Sequence, residues 1–267
     1  MKNFFIFIAV LFVFACNSGN DKKTGTKVKY SDLANDNLKG DIQTIEETPF
    51  KVDSEGKIGD IDSCCIDVTY FDKNGNAVKF TSKDSKGTLK NESVFTRHEN
   101  GLWMGSKDTK DGGKPVGSMK VEIDDKGQYT LAEAFDSTGK LDVYYTNITQ
   151  NEYGQVLSWK QYDKDSVFRM EGESKFDKSL QTGFIMKDSV GKVKSSNSFK
   201  YNDKGEQAEN LSTTVTKDST KTTVTKYTYD THDDMGNWTQ RTNWDEKGKA
   251  VRIIRRVYTF RKKEEMK

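Results

Sequence analysis

The chain reads as an all-β protein, a long antiparallel meander of about seven two-strand repeats forming a curled or twisted elongated sheet. Three observations predict this. Turn signatures of the form D-x-x-G return about every 26 residues, a steady period that marks repeat architectures. The short runs between them alternate at period two and are rich in threonine and aromatics. With 33% hydrophobic against 31% charged residues and only two prolines, the 267-residue chain suits a thin, solvated sheet better than a compact double-layer core.

The best-preserved unit runs from Asp233 to Lys249. In D-x-x-G the aspartate side chain accepts backbone N–H groups further along the turn, and the glycine supplies the left-handed residue that closes a three-residue hairpin. Between the two turns, strict alternation places Trp238, Gln240, Thr242 and Trp244 on one strand face. First-type turns begin at Asp72, His98, Asp124, Asn151, Asp177, Asn202 and Asp233. Second-type turns begin at Asp84, Asp111, Asp136, Asp163, Asp188, Asp218 and Asp245. The copies at Asp163, Asp177 and Asp218 lack the fourth-position glycine. Ala77, Trp103, Tyr129, Val156, Gln207 and Trp238 recur in phase, two residues after the first glycine position, and would stack on alternate strands. Some fourteen to sixteen sequential strands exceed what a flat open sheet sustains, so the sheet should curl, its edges blunted by lysine.

The N-terminus predicts the compartment. Residues 1–15, with Lys2 ahead of an apolar run from Phe4 to Phe14, read as a signal peptide too short to span a bilayer. The run ends Val13-Phe14-Ala15-Cys16, which resembles a bacterial lipobox, so Cys16 is the expected lipidation site. Asn17 after it is similar to the sorting signal that allows passage to the Gram-negative outer membrane. Residues 16–37 are the lipidated cysteine and a flexible tether, 38–261 the repeat domain, and 262–267 a charged tail. Adjacent Cys64 and Cys65 would face opposite sides of a strand and cannot easily pair with each other.

The opening Leu38-Lys39-Gly40 with Ile45-Glu46-Glu47-Thr48, the D-x-x-G units, and the ending Asp234-Met-Gly-Asn-Trp-Thr-Gln-Arg-Thr with Arg255-Arg-Val-Tyr-Thr-Phe resemble bacterial lipoproteins built of YD (RHS-like) repeats. That resemblance spans roughly residues 38–260 and implies antiparallel β-meanders, mostly of unknown activity.

Catalytic and metal signatures are sparse. His98 and His232 occupy turn slots, with neither H-E-x-x-H nor H-x-H. No G-x-S-x-G is present, and the loop at Asp72 has Lys83 where a calcium loop needs its bidentate glutamate. No catalytic residue, cofactor or metal is therefore expected. Asp-Ser-Thr and Asp-Ser-Val sequences at second-type turns resemble acceptors for bacterial O-glycosylation and nominate Ser137, Ser166, Ser189 and Ser219. A formal charge of +2, with basic residues clustered only near Arg255–Lys263, argues against nucleic acid. The function expected is a monomeric, non-enzymatic binding or scaffold module, anchored to the outer membrane through lipid and meeting a glycan or an envelope protein. Trp103, Trp159, Trp238 and Trp244 are its candidate stacking residues. The alternatives are an envelope glycan hydrolase, or a structural or immunity-like partner of a secreted toxin.

Overall fold

The computed structural model describes residues 30–62 and 65–262. One short helix, α1 (Asp32–Asn35), precedes β1 (Ile42–Val52), β2 (Ile58–Ile61), β3 (Ile66–Phe71), β4 (Ala77–Lys83) and β5 (Leu89–Arg97). There follow β6 (Trp103–Lys110), β7 (Lys114–Ile123), β8 (Tyr129–Asp136), β9 (Leu141–Gln150), β10 (Val156–Asp163) and β11 (Phe168–Asp177). The last six are β12 (Leu180–Asp188), β13 (Val193–Tyr201), β14 (Gln207–Val215), β15 (Thr220–His232), β16 (Trp238–Trp244) and β17 (Ala250–Phe260).

Turn chemistry sets the strand boundaries. At Asp72 the carboxylate Oδ1 accepts the N–H groups of Asn74 and Asn76 at 2.8 and 2.9 Å, while Gly75 takes φ +80°. The same double acceptance recurs at Asp84, Asp124, Asp136, Asp188, Asp233 and Asp245, and at Asn151 and Asn202, whose side chains offer an equivalent oxygen. The degraded copies find substitutes. Ser166 occupies the glycine slot of the Asp163 turn at φ 62°, and Lys178 takes φ 57° in a tight turn that pairs Asp177 with Leu180. The turn expected at Asp218 begins instead at Thr216, whose hydroxyl accepts the Ser219 N–H at 3.1 Å.

The sheet is not the open, curled meander that the repeat predicts. Consecutive strands from β3 to β17 pair antiparallel, and β1 then pairs with both β17 and β3, closing a sixteen-strand barrel. The short β2 stands outside the ring, paired with β1 alone. Two physical causes produce closure. Register shifts near nearly every turn, as at Tyr70/Phe71 and Ser82/Lys83, are bulges that bend each strand and increase its twist. Joining β1 to β17 also removes both free edges, which lysines alone would only have blunted.

Arginines hold this seam. Arg256 pairs with Glu47 at 2.5 Å, Arg252 with Asp62 at 2.7 Å, and Arg261 with Asp41, while Arg255 lies over the Phe50 ring. The basic cluster that stands out near the end of the sequence is thus largely absorbed by pairing across 190 to 220 residues of chain.

Bulges also reset side-chain alternation. Trp238 points into the barrel with Arg241, whereas Gln240, Thr242 and Trp244 turn outward, where Gln240 and Thr242 bond Asp230 and the Trp244 indole bonds Thr228. The single tryptophan face expected from strict period two is therefore split. Counting in twos omits the extra residue a bulge inserts.

The interior is apolar near the first-type turns. One cluster gathers Leu102, Val121, Tyr129, Ala132, Tyr145 and Trp159, and a second gathers Leu33, Ile42, Ile45, Phe71 and Ala77. The outer wall carries ion pairs instead: Lys79–Glu92, Lys120–Glu122, Lys187–Glu173 and Lys200–Glu209. Their strand neighbours Phe80, Ser93, Met119 and Val121 line the interior, so the polarity changes across the wall residue by residue.

Candidate functional site

The first-type turns form one rim of the barrel, and residues 30–41 lie across it. Tyr30 N–H donates to the Asn100 carbonyl, Leu33 N–H to that of Gly75, and the Asn37 side-chain amide to that of Lys204. Lys39 and Asn237 bond reciprocally at 2.8 and 3.0 Å. Serine at position 31 caps α1, and Leu33 drops into the apolar interior. Asp32 accepts from Ala77 N–H at 2.8 Å and pairs with Arg97 at 2.5 Å, with about 15% of each side chain exposed (14% and 15%). Burial pushes the Asp32 carboxyl up against the pull of Arg97. Residues 30–37, assigned to the tether by composition, thus include a cap.

Beneath the cap lies a chamber of about 630 Å³, a volume in the range of small-molecule sites. Strands β1 and β3–β10 supply most of its wall, and Phe176 on β11 and Arg256 on β17 extend it at its two ends. The cap half is walled by Leu102, Tyr129, Tyr145, Val156 and Trp159, with the tyrosine and tryptophan rings of 145 and 159 edge to face at 5.4 Å. Tyr145 gives its hydroxyl to Gln161 as an acceptor at 2.8 Å, and burial raises its pKa to about 12.

The half nearer the second-type turns is polar. Glu47, Asp67, Ser82, Asn91, Ser93 and Asp108 face inward there. Burial works against ionisation of Glu47, but Arg256, with Arg241 behind it, holds the carboxyl below its usual range. Asp67 and Asp108 behave oppositely: burial raises both, and serine hydroxyls, Ser82 for the first and Ser93 and Ser106 for the second, only partly compensate. Oδ1 of Asp67 and Nε1 of Trp103, both on chamber-lining residues, have no hydrogen-bond partner among the described residues.

At the second-type rim, a Cβ added to Gly87, Gly112, Gly139, Gly191 or Gly248 would meet nothing within 4 Å. No described segment lies over these turns as residues 30–41 lie over the other rim. Ser137, Ser166, Ser189 and Ser219 are all exposed there, in four neighbouring turns.

Among the sequence candidates, Trp103 and Trp159 line the chamber, Trp159 with its ring flat on Gly172, where a Cβ would come within 2.4 Å. Trp238 is buried between Arg241 and Arg256, whose guanidinium lies 3.7 Å from a ring centroid, so its faces are occupied. Trp244 lies on the outer wall. Three tryptophans therefore point inward rather than forming a flat exterior platform. His98 bonds Asn100 and His232 bonds Glu206, both at the capped rim. Cys65 lines the chamber. Cys16, the signal segment and Cys64 fall outside the described residues. Sequence reading missed Asp67, Asp108 and the Glu47–Arg256 pair. The available signal was parity, since Asp67 falls an even step before the buried Phe71.

No protein family and no curated protein matches this chain. Among solved structures, a porin-like protein from Bacteroides uniformis superposes with a TM-score of 0.51 at 12% identity, covering 82% of this chain and 98% of that one, which shows a shared fold. Two Tc toxin assemblies also match, one described as TcdB2-TccC3-TEV and one as the Photorhabdus luminescens Tc holotoxin pore. Both have a TM-score of 0.32, at 16% and 15% identity. Each covers 78% of this chain, which spans only 11% of the toxin chain.

Proposed function

We propose that this protein is an envelope lipoprotein whose barrel is a non-enzymatic binding module, taking a small, largely apolar ligand into the chamber through its uncapped rim. The observation that carries the reading is the chamber itself, covered by residues 30–41 at one end and bordered by bare turns at the other. Anchorage at Cys16 is supported by the lipobox-like Ala15-Cys16. The cap begins fourteen residues after that cysteine, a reach of at most about 50 Å when extended, so the capped rim would face the membrane and the open rim away from it.

Likeness to a protein described as porin-like supports an envelope setting, but not a membrane-spanning role. A spanning barrel presents an apolar band about 25 Å tall to lipid. Here the outer wall carries Lys79–Glu92, Lys120–Glu122 and Lys187–Glu173 along its strands. An anchored barrel in water fits that surface; an inserted one does not.

Asp67 and Asp108 stand on β3 and β6, so three inter-strand steps separate them by roughly 14 Å along the wall, more than the ~9.5 Å that paired glycosidase carboxylates allow; Glu47, the cross-strand neighbour of Asp67, is engaged by Arg256.

The test is native mass spectrometry of the protein isolated from its own envelope, beside Ala132→Trp, which places an indole in the chamber. A bound small molecule present in the wild type and absent from the variant is expected. A bare wild-type mass, or equal loading of both proteins, rejects the chamber as the site. Loss of membrane association in Cys16→Ala tests the anchor separately.

A further inference from the structure

The charges around the chamber do not balance. Asp32 is matched by Arg97 at the cap and Glu47 by Arg256 at the seam. Asp67 and Asp108 face the same space from the open-rim half, and neither has a cationic partner among the described residues. Asp108 accepts from Ser106 at 3.1 Å and from Ser93, and Asp67 from Ser82, while Oδ1 of Asp67 is buried and unmatched. Serine hydroxyls can share a carboxylate's charge but cannot neutralise it, and an uncompensated buried charge is costly unless a partner arrives.

The geometry points to an amphipathic amine as the ligand: an apolar body against the aromatic cap half, and a cationic head held near the open rim by one carboxylate, that of Asp67 or that of Asp108, which stand too far apart to grip it together. This rests on the chamber being a binding site, as proposed above, and adds the chemistry of what it selects. An anionic head would meet carboxylates where it needed donors. A neutral hydroxyl could bond either aspartate but would leave its charge unmatched. Both carboxylates are raised by burial, the expected condition of acidic groups lacking a counterion.

The probes are octylammonium, octanoate and octanol, which share one chain and differ in the head. Each is titrated calorimetrically, below its aggregation threshold, into the wild type, Ala132→Trp and the double variant Asp67→Asn/Asp108→Asn. The amine should bind the wild type at least about tenfold more tightly than either other probe, the margin of a charge-assisted hydrogen bond. In the double variant that preference should fall to within about twofold while octanol binding is retained. The double variant should also melt no lower than the wild type, because a buried amide needs no counterion; this separates lost recognition from lost folding. Comparable binding of all three probes, or an amine preference that survives the double variant, overturns the amine assignment and leaves the chamber reading standing. Absence of binding by every probe, or binding unchanged in Ala132→Trp, defeats both.

Discussion

The two rims of the barrel are made from one turn design and have different surroundings. At the capped rim, a Cβ on Gly75, Gly101 or Gly154 would come within 2.5, 2.3 or 2.6 Å of residues 30–31. At the open rim, the equivalent glycines have free space around them although they share the same positive φ. The local sequence code is therefore the same at both ends, but at the capped rim glycine also makes room for a second piece of chain. The contrast separates backbone conformation from packing, since only one rim tests both.

The largest effect should come from removing the charge that holds the cap. Arg97→Ala leaves Asp32 buried without its cation and also loses bonds to the Ala77 and Gly101 carbonyls; about 3–5 kcal/mol of stability should be lost in denaturant titration. An exposed pair supplies the control: Lys79→Ala, on the outer wall, should cost less than about 1 kcal/mol. Equal costs would mean that the cap is not part of the cooperative fold.

Next comes the glycine comparison. Gly139→Ala should cost about 1 kcal/mol through left-handed strain alone. Gly101→Ala adds a clash with the Tyr30 carbonyl and should cost about 3 kcal/mol, read as a shift in the denaturation midpoint. If a truncated protein beginning after the cap showed the same two values, the clash would not be the cause.

A smaller effect is expected at the seam, and it depends on pH. Glu47 ionises more readily in the folded barrel than at the ordinary glutamate value of 4.5, so its contribution is present above that value and is lost as pH falls through the lower folded one. Because 31% of its side-chain surface faces the chamber, screening reduces the gain, and Glu47→Gln should cost about 1–2 kcal/mol at pH 7. The gap between the wild type and the variant should close on acidification below pH 4.5. A constant gap would show that packing, not charge, is what the substitution removes.

The smallest effect should be at Val190, 84% exposed in an open-rim turn, where Val190→Ala should change stability by less than about 0.5 kcal/mol.

Turn positions and strand count were close to legible because each depends on a few neighbouring residues. Asp72, Asn74 and Gly75 specify their hairpin wherever they stand, and even Ser166 can be recognised as a glycine substitute by its slot. Side-chain faces were only half legible. Trp238 and Trp244 were assigned together because bulges leave no mark in a period-two count. The carboxylates of the chamber, Asp67 and Asp108, were hidden among many aspartates, a large share of which serve turns.

By itself, the sequence determined the repeated hairpin, its period and its all-β character, since hydrogen bonds within four or five residues settle them. Tertiary structure alone decided that the ribbon becomes a ring, that residues 30–41 cover one mouth, and that two aspartates face a common chamber. Those outcomes rest on pairings such as Ile42 with Phe260 and Lys39 with Asn237, whose partners are close only once the whole sheet has bent round.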